Sequence, residues 1–442
     1  MRAVYFVAGA AAGAGTALRS IVAKGETATR LRERQGLWTG QREPARPWIW
    51  IQAASVGEAE IAVALARATA AKRPDLRLVV SSMTATGVAR VRREHGIESR
   101  YFPVDFAVFL KRIVEPNPPL IFVSIETEIW PETLRLLQRR GVPTAVVNAR
   151  LSDRSLPRYA RLAPLLSPLL AGLSKVCARD DEDARRWRSL GAVEAAVEVT
   201  GNIKFDLATP NPDSEIPPLF ECGTGPPLLL AASTHEGEEE LALEAFVAVR
   251  ARHANARLML APRHPRRAVA ALALARSRWL AAVAWSDVVG IAKASKLPGA
   301  GDGAGTAAIA WPSRVDVIVL DRLGLLRSAY VASNACFVGG SALPGPGGHN
   351  LLEAAVAGCP VAAGPHLGNV VDQVAVLEAA HALRLVENAA GLSNFWLEVI
   401  EGTEEFGDGV RAARAAIEAR RGALDRTVAT LLALLAAREG QA

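Results

Sequence analysis

The sequence predicts an α/β protein with two Rossmann-like domains, each built on a parallel sheet with helices on both faces. Short apolar runs alternate with helical periods along most of the chain, and this alternation is typical of parallel sheets. At 442 residues the chain is too long for one ordinary core, and half of its residues are hydrophobic, so two sizeable cores can form. A proline-rich stretch at 209–227 interrupts the alternation near the middle.

The first 22 residues precede this regular pattern, and we predict that they form a membrane-anchor segment. Residues 3–18 are apolar, but they fall short of the ~20 residues that span a bilayer. Basic side chains follow at Arg19, Lys24, Arg30, Arg32 and Arg34. One weak apolar insertion beside a basic patch gives useful affinity for anionic lipid. A cleaved signal peptide and a buried first helix are the alternatives.

The first domain, residues 23–207, begins its alternation of strands and helices at Pro47. Stretches with helical periodicity, such as 58–72 and 130–140, separate apolar runs of strand length. The predicted strands are 48–53, 76–81, 120–125 and 144–148. Ligands of open α/β sheets bind beyond the carboxyl ends of the strands, so the residues that follow these strands are the functional candidates.

Two carboxylates follow strands of this domain, Glu58 and Glu126. Glu58 lies at the start of a predicted helix, where the helix dipole would keep it ionised, as a general base must be. With Ser55 it also matches a capping box, so a purely structural role is the alternative. If the extended backbone continues past Ile125, Glu126 and Glu128 point to the same side. We expect Glu58 and Glu126 to face one cleft.

The second domain, residues 228–405, follows a predicted linker at 208–227. Its apolar runs again have the length of buried strands and can form a second parallel sheet. The predicted strands are 228–232, 257–261, 281–285, 315–320, 335–338 and 360–363. The last segment, 406–442, contains a long Ala, Leu and Arg helix at 409–438 that could pack back across both domains.

The strand at 335–338 runs into a glycine-rich loop that begins with the sequence GGS at 339–341. A helix is predicted next, with Asn350 as its N-cap and Glu353 three residues later. Strand, glycine loop and helix N-terminus together can hold an anion such as a nucleotide phosphate. The alternative is a turn that needs glycine only for its backbone, with Asn350 and Glu353 as a cap. The pattern matches neither GxGxxG nor the P-loop.

A basic loop, APRHPRR at 261–267, follows another strand of the second domain. Its arginines suit a phosphate or a carboxylate, because guanidinium groups bind these anions bidentately. The turn at 233–237 can donate hydroxyl and N–H groups to the same ligand. We interpret His349 as a loop hydrogen-bonding residue, since no second histidine follows at the helical spacing of a metal site.

Charge and composition narrow the class of partner. The net charge of +6 and the pI near 9.4 suit an anionic partner such as a nucleotide, a phosphorylated lipid, a membrane surface or nucleic acid. Aromatic residues make up only 5% and are not interleaved with basic blocks, so we expect no nucleic-acid partner. The four cysteines form no CxxC pair, which predicts buried thiols and no zinc site.

Several ordered blocks of the sequence together resemble the 3-deoxy-D-manno-oct-2-ulosonic acid (Kdo) transferases of lipid A biosynthesis, over roughly residues 30–385. The blocks are AASVGE (53–58), ETEIWPE (126–132), NARLSDRS (148–155), VTGNIKFD (199–206), APRHPRR (261–267), FVGGS (337–341) and GGHNLLEAAVAGCPV (347–361). The resemblance implies a GT-B glycosyltransferase whose two sheets face a central cleft. It implies an N-terminal domain for the lipid A precursor, a C-terminal domain for the donor CMP-Kdo, an inverting reaction without metal or cofactor, and a monotopic or peripheral protein on the cytoplasmic face of the inner membrane.

The resemblance also implies roles for individual residues. Glu58 matches the family's general base, and Glu126 matches a second acidic residue of the acceptor site. The residues that match the CMP-Kdo site are Arg263, His264, Gly339, Gly340, Ser341, Asn350 and Glu353.

Two other readings fit part of the pattern. A nucleotide-sugar epimerase of GT-B-like architecture would keep the nucleotide-binding half, but it leaves the apolar N-terminus and its basic flank unexplained. A membrane-bound nucleotide sensor would bind without needing Glu58. Turnover, and its dependence on a lipid acceptor, separates the three.

Overall fold

The computed structural model describes residues 25–38, 46–152, 155–208, 219–220, 225–294, 310–402 and 404–440. Within them lie two seven-stranded parallel sheets with flanking helices, which confirms the predicted α/β class. The chain divides into two compact units. The first unit is Met1–Leu207 with Arg420–Ala442, and the second is Ala208–Ala419. Much of the predicted linker at 208–227 lies outside the described residues.

The sheet of the first unit has the strand order β3-β2-β1-β4-β5-β6-β7. Its strands are β1 Trp48–Ala53, β2 Arg77–Ser82, β3 Ile97–Tyr101, β4 Ile121–Ile125, β5 Thr144–Ala149, β6 Lys175–Ala178 and β7 Val197–Val199. The centre of the sheet is continuous apolar sequence because both faces are covered. In register, Trp50 of β1 lies opposite Val79 and Phe122, and all three side chains are buried.

Helices flank this sheet, and all but the first and the last of them lie between successive strands. They are α1 Gly25–Arg34, α2 Val56–Lys72, α3 Ala85–Arg92, α4 Ala107–Val114, α5 Pro131–Arg139, α6 Leu156–Arg161, α7 Ala163–Ala171, α8 Asp181–Ser189 and α9 Ile203–Ala208. The four strands predicted from the sequence are present within a residue at each end. The strands β3, β6 and β7 were not predicted, because β3 alternates buried and half-exposed residues and the other two are short.

The sheet of the second unit has the order β10-β11-β9-β8-β12-β13-β14. Its strands are β8 Leu228–Thr234, β9 Arg257–Pro262, β10 Ala282–Ala284, β11 Val317–Val319, β12 Ala335–Val338, β13 Val361–Ala363 and β14 Leu383–Leu385. Its helices are α10 Glu238–Arg252, α11 Ala268–Ser277, α12 Trp285–Ala294, α13 Leu326–Ala332, α14 Leu352–Ala357, α15 Val371–Ala379, α16 Ala389–Ile400 and α17 Glu404–Glu418. The strand β14 was not predicted; two of its three residues are exposed.

The single helix predicted at 409–438 is wrong: the chain forms α17 and then a separate helix, α18 Ala423–Glu439. The break lies at Gly422, whose φ of 91° is left-handed and favours glycine. Asp206 fixes this break, since its Oδ1 accepts from the Gly422 N–H at 2.6 Å and its Oδ2 accepts from the Leu424 N–H at 3.1 Å. The chain therefore returns to the first unit through α18.

The helix α18 is part of the first unit's core. Val428, Leu431 and Leu435 are at most 2% exposed and pack in the same cluster as Ile61 of α2. Burial of this apolar stripe joins the last residues of the chain to the first domain of the sequence.

Two further predictions concern residues that the structure describes only in part. Cys177, Cys336 and Cys359 are buried and free, as expected for reduced thiols, whereas Cys222 lies outside the described residues. Within the described ranges, no helix is both long enough and apolar enough to cross a bilayer. The apolar segment at 3–18 lies outside those ranges.

Candidate functional site

Glu58 lies in the first turn of α2, directly beyond the carboxyl end of β1. Ser55 is the N-cap, and its Oγ accepts from the Glu58 N–H at 3.3 Å. The Glu58 carboxylate turns back on the cap: Oε2 accepts from the Ala54 N–H at 2.7 Å, and Oε1 accepts from the Ser55 Oγ at 2.9 Å. The capping arrangement and a half-buried carboxylate at the sheet edge therefore coexist.

Glu126 follows β4 in the left-handed region, with φ of 58°. The extended backbone therefore does not continue past Ile125, which overturns the expected geometry of Glu126 and Glu128. The Glu126 N–H still donates to the Val147 carbonyl at 2.9 Å, and its Oε1 accepts from Lys204 Nζ at 2.6 Å. A turn now joins the two glutamates, closed by the Ser124 hydroxyl donating to the Glu128 carbonyl at 2.6 Å.

Left-handed backbone recurs where strands end in both sheets. Asn148 (φ 51°) and Ser233 (φ 54°) lie at register shifts of β5 and β8. Non-glycine residues in this region cost on the order of 1–3 kcal/mol each and concentrate at functional sites. Both residues lie at the carboxyl ends of strands, which is where the sequence predicted the functional residues.

The carboxylates of the first unit differ in proton affinity. Burial raises the pKa of Glu58 to about 7, and the negative charge of Glu126 adds to this, while the hydrogen bonds from Ala54 and Ser55 act in the opposite direction. Burial would also raise the pKa of Glu126, but Lys204, with Arg179 and Arg150 nearby, holds it below the ordinary value. Glu126 is therefore a carboxylate at neutral pH, next to a Glu58 that is close to half protonated.

This result corrects the expectation that the helix dipole keeps Glu58 fully ionised. Burial and the neighbouring charge of Glu126 outweigh the favourable backbone groups. A pKa near 7 is nonetheless the value that suits a general base at neutral pH, since such a base must be ionised yet still attract a proton.

In the second unit, a buried glutamate holds the GGS loop in place. Glu238, the first residue of α10, is 1% exposed. Its two carboxylate oxygens accept four backbone N–H groups, those of His235 (2.9 Å), Gly340 (2.7 Å), Ser341 (2.9 Å) and Ala342 (2.8 Å). Gly339, Gly340 and Ser341 thus lie against the turn that follows β8.

The helix after this loop begins later than predicted. Helix α14 starts at Leu352, and its N-cap is Leu351, which has no side-chain cap bond. Asn350 is therefore not the N-cap, although its Oδ1 accepts from the Leu352 N–H at 3.2 Å. Asn350 Nδ2 donates to Glu353 Oε1 at 3.1 Å, and Arg327 Nε is 4.0 Å from Glu353 Oε2. The helix ends at Gly358, whose backbone is left-handed.

The basic loop separates into two kinds of arginine. Arg267 bonds Glu239 through two of its nitrogens (3.1 and 3.2 Å) and Glu236 at 3.1 Å. Arg263 is half-buried, and its side chain has no hydrogen bond or ion pair with any described residue. Burial and the charge of Arg263 lower the pKa of the exposed His264. Among the described residues, Arg263 and the exposed Arg266 thus both lack a protein partner, and Arg263 is the one whose charge acts on His349.

Three histidines from different segments of the chain lie close together beside the GGS loop. His235 and His349 are in contact, with 2.8 Å between their Nε2 atoms, and the ring centroid of His264 is 6.0 Å from that of His235. Gly340 lies under the His349 ring: a Cβ at Gly340 would be 2.7 Å from His349 Cδ2. No group of three or more histidine, cysteine or acidic residues within the described ranges is arranged to hold a metal ion.

Sequence reasoning did not identify Lys204 or Glu238 as site residues. Lys204 lies 78 residues from the glutamate that it pairs with, so no local pattern connects them. Glu238 belongs to a run of three glutamates at the start of a helix, which by itself indicates only a favourable helix dipole.

A family model and two relatives of known name indicate the same family for this chain. The family model for 3-deoxy-D-manno-octulosonic-acid transferase (Kdo transferase) matches residues 29–207. The chain is 32% identical over 404 residues to the 3-deoxy-D-manno-octulosonic acid transferase of Bordetella pertussis, and the alignment covers 89% of each chain. The protein of the same name from Haemophilus influenzae is 30% identical over 404 residues, which cover 90% of this chain and 89% of that protein.

Solved structures with the same fold are more distant. A glycosyltransferase from Rickettsia africae ESF-5 has a TM-score of 0.53 and 14% identity, covering 90% of this chain and 100% of that chain. The UDP-GlcNAc 2-epimerase from Neisseria meningitidis has a TM-score of 0.55 and 13% identity, covering 87% and 99%. At these identities the likeness concerns the fold alone, and the fold is the predicted GT-B type.

Proposed function

Since the chain belongs to the 3-deoxy-D-manno-octulosonic acid transferases, which are glycosyltransferases, we propose that it moves Kdo from CMP-Kdo to a lipid A precursor of the lipid IVA type, with inversion at the anomeric carbon. The observation that carries the proposal is Glu58: a half-buried carboxylate with a pKa of about 7, at the carboxyl edge of a parallel sheet. Kdo transfer needs a group that can accept a proton from a sugar hydroxyl at neutral pH.

In the proposed reaction, ionised Glu58 takes the proton of an acceptor hydroxyl while that oxygen bonds to the anomeric carbon of Kdo. The bond from this carbon to the phosphate oxygen of the donor breaks, and its electron pair leaves with CMP. A single displacement of this kind inverts the anomeric centre. Glu126 stays ionised beside Lys204 and tunes Glu58 through its charge. Because Glu58 need not form a bond to the sugar, one carboxylic group suffices as base.

The second unit would bind the donor. Arg263 has a guanidinium group without a protein partner among the described residues, and His264 is exposed beside it. The GGS loop presents backbone that Glu238 holds rigidly, with Asn350 and Glu353 farther along the same segment. Cations and polar side chains that are held in place beside such a rigid loop stabilise a leaving phosphate without reorganising. They can therefore act in place of a metal ion.

A lipid acceptor requires access to a membrane, and we propose attachment to the cytoplasmic face of the inner membrane. Helix α1 supports this, because it buries Leu31 and Glu33 while Arg30 and Arg32 are exposed. Exposed basic side chains next to a short apolar segment favour an anionic lipid surface.

The test is an assay of the purified full-length chain with CMP-Kdo and a tetraacylated lipid A precursor in detergent micelles. Mass spectrometry should show the precursor heavier by one or more Kdo residues, and proton NMR should show the inverted anomeric configuration. If CMP-Kdo is consumed without a Kdo-bearing lipid, or if an isomerised nucleotide sugar forms without acceptor, the proposed function is wrong. The second outcome would favour the epimerase alternative.

A further inference from the structure

The contact between His235 and His349 limits how many protons their two facing nitrogen atoms can carry. Their Nε2 atoms are 2.8 Å apart and their ring planes differ by 12°, which is the geometry of a hydrogen bond in the ring plane. One nitrogen must carry the proton and the other must accept it, so the two facing nitrogens share a single proton. A further proton can be added only at the outer Nδ1 atoms.

The charged groups around this histidine pair oppose that further proton. Arg263 and His264 come from the loop after β9, and burial together with these cations lowers the pKa of His349 to about 3. Glu238, the acidic neighbour at the start of α10, already accepts four backbone N–H groups, including that of His235. Without a ligand His349 is therefore neutral, in a region of positive charge.

The negative charge of a bound phosphate would offset the cations that oppose a further proton on the histidines. That charge changes during the proposed reaction. In the donor the phosphate is a diester with one negative charge. When the bond to the anomeric carbon breaks, the electron pair stays on the phosphate oxygen, and the free monoester, with a second pKa near 6, carries almost two charges at pH 7. A protein group that gains a proton when the second negative charge appears binds the product CMP more strongly than it binds the donor.

On the basis of the proposed function, we propose that the His235–His349 pair takes up one proton from solvent as CMP forms, and that the resulting cation holds the leaving phosphate. The assignment rests on three features of the described residues: the 2.8 Å contact, the position of His349 over Gly340 of the GGS loop, and the unpaired Arg263 beside it. The pair then acts as a proton-linked sensor of phosphate charge, and CMP release becomes dependent on pH.

Calorimetric titration tests this with the full-length chain. CMP is titrated at pH 7 in two buffers of different ionisation enthalpy, and the difference in heat gives the protons taken up per CMP bound. Free CMP is about nine-tenths dianion at this pH, so it contributes at most about 0.1 proton of release. Cytidine 5′-phosphate methyl ester, which has one charge, is the matched ligand and mimics the donor's diester. We expect net proton uptake with CMP and none with the methyl ester.

Variants assign the effect to the pair. In His349→Gln and in His235→Gln, proton uptake should disappear and CMP should bind about tenfold or more weakly, because a charged hydrogen bond is lost, while the methyl ester changes by less than about threefold. His253→Gln is the control, since His253 lies on the same unit but contacts Glu401 at the end of α16. Should His349→Gln fail to fold, the wild-type proton count and His235→Gln still decide.

Two results would overturn the proposal. One is CMP binding by the wild-type chain without proton uptake, and the other is an equal loss of CMP and methyl ester in both variants, which would make the pair a structural contact only. Neither result would contradict the proposed function, which the transfer assay tests separately. Conversely, a wild-type chain that binds neither ligand would refute the donor site of the proposed function together with this inference.

Discussion

Glu58 shows how the surroundings of one residue set the conditions under which it can act. Its carboxylate is held by Ala54 and Ser55 and lies near the charged Glu126. Because burial and that charge raise its pKa to about 7, the ionised form that a base requires is a minority below pH 7 and a majority above it. Catalysis and stability should therefore respond to pH in opposite directions.

The rate of Kdo transfer should rise with pH through about 7, by nearly tenfold per pH unit well below that value, and then level off. Glu58→Gln should lower the rate by ~10²-fold or more and remove this rise, since amides do not accept the proton. The measurement is initial rate against pH for both proteins. Glu60→Gln is the control, because Glu60 is on the same helix but half exposed and paired with Arg90. Wild-type rates in Glu58→Gln would exclude Glu58 as the base.

The same pKa also predicts a stability change. The folded-state pKa of Glu58 lies above its ordinary value of 4.5, so the protonated form favours folding. This contribution is complete below about pH 4.5 and is lost as the pH rises through about 7. The melting temperature of Glu58→Gln relative to wild type should therefore increase between pH 5 and pH 8. An unchanged difference would show that Glu58 is not shifted.

Glu353 separates ligand binding from helix capping. Because Leu351 is the N-cap, Glu353 is not half of a capping box; its carboxylate accepts from Asn350 at 3.1 Å and lies 4.0 Å from Arg327. We predict that Glu353→Gln weakens CMP binding by roughly tenfold or more, as expected for a lost charged acceptor to ribose, while the melting temperature barely changes. Calorimetric titration and thermal melts measure both, with the exposed Glu378→Gln as control. Early melting with normal CMP binding would assign Glu353 a structural role only.

For individual residues, the sequence predicted their location at strand ends better than it predicted the charges and burial around their side chains. Glu58, Glu126, Arg263 and the GGS loop lie at carboxyl ends of strands as predicted, because strand-to-helix turns are recognisable from local pattern. The environment of Glu58 could not be predicted, since it depends on Glu126 and through it on Lys204, which are remote in the chain.

At the scale of elements, the GGS loop is held by a helix rather than by its own turn. Helix α10 places the carboxylate of Glu238 against four N–H groups, three of them from the segment after β12. A carboxylate accepts several such bonds, whereas an amide has one acceptor oxygen and an NH₂ that faces the remaining donors. The isosteric amide is therefore a sharp probe of this contact.

Glu238→Gln should lower the free energy of unfolding of the second unit by about 2 kcal/mol or more, because at least two buried N–H groups lose their acceptor. CMP affinity should fall as well, since the loop is no longer fixed. Urea unfolding and calorimetric titration measure the two effects. Glu236→Gln is the control: its side chain is 85% exposed and ion-pairs with Arg267. Equal stability of the two variants would contradict the loop-holding role.

The short edge strands and the broken terminal helix were missed from the sequence for two different physical reasons. Long central strands such as β1 and β4 are continuous apolar runs because both faces are buried, and they were predicted. The strands β7 and β14, three residues each at the ends of their sheets, have too few apolar residues to form a pattern. The broken terminal helix was missed because the break depends on Asp206, more than 200 residues earlier.

At the scale of the whole molecule, the first unit is built from both ends of the chain. Ala423, Val428, Leu431 and Leu435 of α18 are at most 2% exposed in its core. Full burial of such a side chain contributes roughly 1.5–3 kcal/mol, and the total stability of a domain is only about 5–15 kcal/mol. The first unit should therefore not fold without α18.

Removal of residues 420–442 should unfold the first unit while the second unit keeps its structure. Limited proteolysis followed by mass spectrometry should then degrade residues 25–207 and leave a resistant fragment close to 208–419. A stop after Gly440 is the matched control, since it removes two residues beyond α18. Protection of both units in the shortened chain would show that α18 is dispensable.

Membrane attachment is a property of the whole chain and has its own test. Deletion of residues 1–22 should weaken sedimentation with anionic liposomes while the shortened protein still binds CMP. Replacement of Arg30 and Arg32 by Gln should weaken it further, because both are exposed on α1. Neutral liposomes serve as the control. Unchanged sedimentation after the deletion would count against the anchor.

The return of the chain through α18 also has a consequence during synthesis. When residue 207 leaves the ribosome, the first unit still lacks α18, and all of residues 208–419 must be translated before that helix appears. At ~5–20 residues per second this takes roughly 10–40 s. The second unit, which is continuous in sequence, can fold within that interval. Folding in the cell should therefore run from the C-terminal unit to the N-terminal one, and the waiting apolar sheet is the part most in need of a chaperone.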